Sequence, residues 1–152
     1  MKVKVKKVSH LKFAPYGKIA RLSVGKPTSQ SAEYKFWSDL ADYSISGDTE
    51  IGICTVYRRS VARIQSLERH MNTPEILIPI DGPFVLPLMK DGLDKIEVFQ
   101  FQVGEAAVID RGIWHGACLP VKKKEASYFV IFLKGTPASD VQKKLIHPAD
   151  IV

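Results

Sequence analysis

Glu68 and His70 stand two residues apart in LERHMNTPEILIPIDG (67–82), Glu75 follows in the same stretch, and His115 ends a second one, GEAAVIDRGIWH (104–115). Two imidazoles with ordinary pKa values near neutrality suit proton transfer, and a carboxylate such as Glu68 can orient one of them or act as the base itself. The same four residues offer two nitrogens and two oxygens, a mixed donor set that suits one divalent cation among zinc, manganese, iron and nickel. Two carboxylates brought together without a cation repel each other, so their convergence would favour a bound metal or a nearby arginine. If residues 68–70 are extended, Glu68 and His70 point the same way and Arg69 points away, into solvent. His10 and His147 lie outside both stretches and carry no assigned role.

The elements that must position these groups read as strands. Thr73-Pro74 interrupts the chain after His70, and Glu75 to Ile80 starts a new extended run that stops at the Asp81-Gly82 turn. Further strands are expected at Val3–Val8, Ile19–Val24, Ile51–Arg58, Ser66–His70, Phe84–Met89, Ile96–Val103, Ala106–Asp110 and Tyr128–Leu133. Such even spacing of short strands predicts a sandwich or barrel. Helical signals are few: a turn around Ser9–Phe13, and Ala138–Leu145, where Ser139 would cap a short helix ending before Pro148. There is no repeat or low-complexity tract, and one domain over residues 1–152 is expected.

Composition agrees with an ordinary globular protein: 45% of the 152 residues are apolar and 25% charged. The longest nearly unbroken apolar stretch, Tyr128 to Leu133, is far too short to span a bilayer, and MKVKVKKVSH has lysines but no apolar core, so a cytoplasmic location is expected. Cys54 and Cys118 have no CxxC partner and read as free, buried thiols. The net charge of +6 permits attraction to anions. Lys2, Lys4, Lys6 and Lys7 alternate with Val3 and Val5 as on an edge strand with a wet face, and Lys122 to Lys124 fit a hairpin loop. These readings outweigh a nucleic-acid patch, which would show steep salt dependence.

The two stretches resemble the two motifs of the cupin superfamily, G-x5-H-x-H-x3,4-E-x6-G and G-x5-P-x-G-x2-H-x3-N. From residue 68 the chain reads Glu-x-His-x4-Glu-x6-Gly, with Glu68 at the first histidine and the leading glycine absent. The second stretch reads Gly104-x5-Asp110-x-Gly112-x2-His115, with Asp110 for the proline and Leu119 for the asparagine. Within that superfamily the chain looks most like the ureidoglycolate lyase family, through FAPYGKI (13–19), FWSDLA (36–41), LERH (67–70), IPIDGPFV (78–85) and RGIWHG (111–116). That family has LERHP and YHRGxWHHP; here Asp110 and Gly116 stand at two of its histidines, and Glu75 stands where glutamine is common.

The resemblance implies an all-β, jelly-roll antiparallel barrel, a homodimer, and cleavage of ureidoglycolate to glyoxylate and urea in allantoin degradation. That reaction needs a base at the hydroxyl, an acid at the departing nitrogen and a cation for the carboxylate. His70, His115 and Glu68 are the candidate catalytic groups, and Glu68, His70, Glu75 and His115 the candidate metal ligands. Arginines match a carboxylate with a planar fork. Arg58 and Arg111 are therefore the candidate substrate cations, with Asp110 and Trp114 beside Arg111; Trp114 also reads as a packing residue. The departures leave room for another small hydroxy acid as substrate. The alternative is a non-catalytic cupin that binds or senses an anionic metabolite, favoured by the loss of two family histidines.

Overall fold

The alternation in TEIGICTVY sends Gly52, Cys54 and Val56 to one face and Ile51, Ile53, Thr55 and Tyr57 to the other, which is the pattern of a strand with one face on a core. The computed structural model, which describes residues 1–22 and 25–152, forms that strand over Thr49–Tyr57. In chain order the elements are β1 (Lys2–Val3), β2 (Val5–Lys7), α1 (His10–Phe13), β3 (Gly17–Arg21), β4 (Ser29–Gln30), β5 (Lys35–Phe36), β6 (Thr49–Tyr57), β7 (Arg63–Arg69), β8 (Glu75–Pro79), β9 (Phe84–Met89) and β10 (Ile96–Phe101). There follow β11 (Glu105–Ile109), β12 (Trp114–His115), β13 (Leu119–Pro120), β14 (Glu125–Leu133), α2 (Thr136–Ser139) and β15 (Gln142–Ile151). The Ser9 side chain accepts from Lys12 N (3.3 Å) and starts α1. The end of the strand expected at Ile19–Val24 falls on Ser23 and Val24, outside the described residues.

The segment expected as a helix, Ala138–Leu145, is instead divided. One helical turn, α2, ends at Ser139, whose Oγ donates back to Gly135 O (2.9 Å) rather than capping forward, and Gln142 begins a ten-residue strand. QKKL has no apolar stripe for a helix to bury, whereas as β15 its backbone pairs antiparallel with β7. Pro148 is tolerated because the register shifts between Leu145 and Ala149, where no ladder bond is needed from it.

Five strands form one sheet in the order β3-β11-β8-β14-β6, and a second runs β1-β15-β7-β12-β9-β10-β2, with β13 also on β9. Their facing sides enclose one core: Leu77, Ile109, Tyr128, Val130 and Phe132 from the first sheet meet Phe84, Leu86, Leu88, Phe99 and Phe101 from the second. This is the all-β barrel that the strand pattern implies. Pairing is antiparallel except at the N-terminus, where β1 runs parallel to β15 and β2 parallel to β10. One extended segment thus joins both edges of the larger sheet, as Val5 N–Val152 O (3.1 Å) and Val152 N–Val3 O (3.0 Å) show. The sheet's other face holds a second cluster built from Ile64, Leu67, Val85, Met89, Val98 and Trp114. No helix among the described residues is long and apolar enough to cross a membrane.

Gly17 is where β3 meets β11 most closely: its φ is +148°, and a Cβ there would stand 1.9 Å from Val108 O. Gly17→Ala is therefore expected to destabilise the fold by about 3 kcal/mol or more, measured by urea unfolding. Gly52→Ala, where a Cβ meets nothing within 4 Å, is expected to stay within about 0.5 kcal/mol of the parent.

Candidate metal centre

Strand alternation decides which side chains enter the barrel. Trp114 pairs with Met89 and faces the second cluster, so His115, paired with Leu88 and Glu68, faces the barrel interior. Glu75 opens β8 from the opposite sheet, paired with Ile109, and faces the same space as Leu77. His70 follows the last residue of β7, where Phe132 packs edge-on against its ring at 5.8 Å. Four groups read from the sequence as a ligand set, Glu68, His70, Glu75 and His115, therefore converge at one end of the barrel.

His115 Nε2 lies 2.8 Å from Glu75 Oε2 and 4.0 Å from Glu68 Oε1, while His70 Nε2 lies 3.8 Å from Glu75 Oε2. Both histidines are held from behind. His70 Nδ1 meets Asp140 O at 2.7 Å and His115 Nδ1 meets Ile113 O at 3.2 Å. A carbonyl only accepts, so each Nδ1 carries a proton and each ring turns its Nε2 toward the cluster. His70 Nε2, His115 Nε2 and Glu75 Oε2 are fully buried and make no aligned hydrogen bond. The 2.8 Å contact between Glu75 and His115 is thus chiefly an attraction between charges. Burial, the largest single influence, pushes the Glu75 carboxyl up, but the charge and close contact of His115 together with His70 outweigh it and hold Glu75 below the ordinary carboxylate range. Burial is likewise the largest influence on His115 and pulls it down, but the charge and contact of Glu75, the Ile113 carbonyl and Glu68 together override it and leave the imidazole above its ordinary value.

Buried polar atoms without partners are rare, and here three point at one another. A divalent cation fits them. Donors bonded to one ion at about 2.1 Å lie roughly 3 to 4.2 Å apart, and the separations here run from 2.8 to 4.0 Å. Glu68, His70 and His115 also present donor atoms within 4.8 Å of one another. The backbone carbonyls behind both rings supply the orientation that metal-bound histidines receive from their surroundings.

A polar hollow of about 410 Å³ opens onto this cluster, with Glu68, His70 and Glu75 in its wall alongside Phe132, Pro137, Ala138, Ser139, Val141 and Lys143. The Asp140 carboxylate accepts from Met71 N (3.0 Å) and Asn72 N (2.8 Å), tying the α2–β15 wall to the turn after His70. Sequence reading missed Asp140 and Lys143 because the segment carrying them was expected to be helical; the alternation of a strand opposite Glu68 was the signal available.

The remaining candidates lie elsewhere. Arg58 lines a separate hollow with Arg59, Val85 and Leu119. Arg111 Nη2 donates to Ser44 O (3.0 Å), and with Asp110 it borders a surface hollow shared with Lys18 and Asp42. Trp114 points away from the cluster, its Nε1 donating to Asp91 (3.0 Å) and its ring stacked under Arg69 at 4.3 Å. Arg69 does point away from Glu68 but is not solvated: it also bonds Gln142 (2.8 Å) and pairs with Asp91 (3.0 Å). Both cysteines are free, Cys118 buried and Cys54 partly so.

No curated protein matches this chain. Among solved structures, Peruvianin-I, a cysteine peptidase from Thevetia peruviana latex, is 13% identical with a TM-score of 0.51, over 65% of this chain and 57% of its own. Oxalate decarboxylase from Bacillus subtilis, in a structure concerned with its Mn(II) centres, is 18% identical with a TM-score of 0.46, over 57% of this chain and 22% of its own. This chain therefore spans well under two thirds of either protein, and likeness at such identity speaks to fold alone. The family model for ureidoglycolate lyase matches residues 1–152 from end to end, and the chain belongs to the ureidoglycolate lyase family.

Proposed function

We propose that this protein is a metal-dependent ureidoglycolate lyase of the cytoplasm, releasing glyoxylate and urea. The observation that carries the reading is the set of three buried, partnerless donor atoms on His70, His115 and Glu75 beside an open polar hollow. Membership of the family supplies the reaction, and two free thiols suit a reducing compartment.

His70, His115 and Glu75 would hold the cation, with Glu68 beside them. When bound, the cation neutralises part of the carboxylate charge and lowers the pKa of a substrate hydroxyl next to it. Glu68, whose side chain is 42% exposed, borders the hollow and is free to take that proton. As the carbon–nitrogen bond breaks, the hydroxyl oxygen becomes the glyoxylate carbonyl, and Glu68 passes the proton to the departing urea nitrogen. The two departures from the family that favour a merely binding cupin lie away from the cluster and remove no donor from it. Asp110 is exposed at another hollow, and a Cβ at Gly116 would meet Leu67 and Pro87 at 3.3 Å, away from the cluster.

The same reading carries a homodimer. β6 lies at a sheet edge, and the outward residues Thr49, Ile51, Ile53, Thr55 and Tyr57 are exposed and uncharged, with Phe129 beside them. A nine-residue edge without proline or lysine is suited to antiparallel pairing with its own copy, since no like charges oppose each other. Ile53→Lys is expected to convert a dimer to a monomer in analytical ultracentrifugation; an unchanged mass would place the contact elsewhere.

Protein purified without chelator or histidine tag is expected to contain about one metal per chain, lost in a His70→Ala plus His115→Ala variant. Metal must displace the proton from His115, whose pKa is raised, so affinity should climb steadily from about pH 6 to pH 8, with proton release seen by calorimetry. A protein that stays metal-free when offered zinc, manganese, iron and nickel would sink the metal reading. Glu68→Gln is expected to keep the metal while lowering kcat on ureidoglycolate by about 10²- to 10⁴-fold.

A further inference from the structure

We propose that Lys143 is the residue that holds the carboxylate of the substrate, an assignment that rests on the lyase reading of this cavity. The sequence points to Arg58 and Arg111 for that task, and neither borders the hollow. Among the described residues, Lys143 is the one cation in its wall. Its place follows from the strand: Lys143 pairs directly with Glu68 across the β15–β7 ladder, so both side chains leave the same face. Its neighbour Gln142 pairs with Arg69 and leaves the other face, where those two side chains bond.

The electrostatics favour such a group. Glu75 is balanced by His115, but Glu68 stands in the wall of the hollow, and an anion entering it meets that carboxylate. Lys143 is exposed at the mouth and makes no ion pair among the described residues, so its ammonium is available to an incoming anion. A four-carbon stem lets it follow a small ligand without a rigid fork. Phe132, Pro137 and Val141 line the same space with apolar surface and leave Lys143 as the charged anchor. The ligand class is a short carboxylate bearing a hydroxyl on the neighbouring carbon, its carboxylate at Lys143 and its hydroxyl toward Glu68. A competing role, support of Glu68 across the ladder, would act on proton transfer and so on kcat instead.

The test uses glycolate as the probe, with glycolamide as its uncharged counterpart, titrated calorimetrically into the full-length protein with and without added manganese. Lys143→Met is expected to weaken glycolate binding about 10- to 100-fold and Lys143→Arg by only a few fold, with metal content unchanged and glycolamide binding unmoved. With ureidoglycolate, KM should rise in Lys143→Met while kcat holds. Glycolate affinity that is equal in parent and Lys143→Met, or absent in the parent, overturns the assignment. Loss of metal together with glycolate also overturns it, and a fall in kcat with glycolate affinity unchanged overturns it in favour of support for Glu68. If the parent fails to turn over ureidoglycolate yet binds glycolate through Lys143, the lyase reading fails and the carboxylate site stands.

Discussion

A carboxylate and two imidazoles buried with their binding atoms facing one another are the constraint on which this molecule turns. Burying such polar atoms costs several kcal/mol in an apolar interior unless charge compensates it, so the surrounding structure must hold them there. It does so from both sheets. Leu88 and Ile109 sit opposite the ligands in the ladders, Phe132 closes on His70, and two main-chain carbonyls fix the rings. Strand β12, two residues long, exists in the ladder between β7 and β9 at the place where His115 must turn inward.

The outward residues of the same strands do the complementary work. Because side chains alternate, Arg69 and Trp114 lie directly behind Glu68 and His115, and their stack with Asp91 and Gln142 clamps β7 to its neighbours from outside. Asp140 adds a second clamp, bonding the turn after His70 with its side chain and His70 itself with its carbonyl. Cavity wall and buried cluster are thereby parts of one body, and a change in one is felt in the other.

The sequence made the barrel and its inward-facing cluster legible because both rest on short-range patterns. Alternation located nine strands, Ser9 announced α1, and two short motifs singled out Glu68, His70 and His115. Glu75 was legible as the first residue after a Thr-Pro break. What stayed hidden depends on distant partners. β15 has the composition of a solvated helix, and only the ladder offered by β7 makes it a strand. Arg58 and Arg111 were chosen for proximity in sequence to the motifs, but β6 ends far from the cluster and Arg111 sits in the turn beyond β11, so neither faces the cavity. The same mistake about β15 concealed Lys143, whose relation to Glu68 spans 75 positions of chain.

The N-terminal segment that binds both edges of the larger sheet has a consequence for the order of assembly. Lys2 pairs with Asp150, and Val3 with Ile151, the most sequence-distant contacts a ladder in this chain can make. Bringing them together costs more chain entropy than any local hairpin, and contacts of this kind slow folding. During synthesis Lys2 and Val3 must therefore wait, unpaired on that side, until Asp150 and Ile151 have left the ribosome. Their lysine-rich sequence keeps that waiting strand soluble and poorly suited to pairing with another chain.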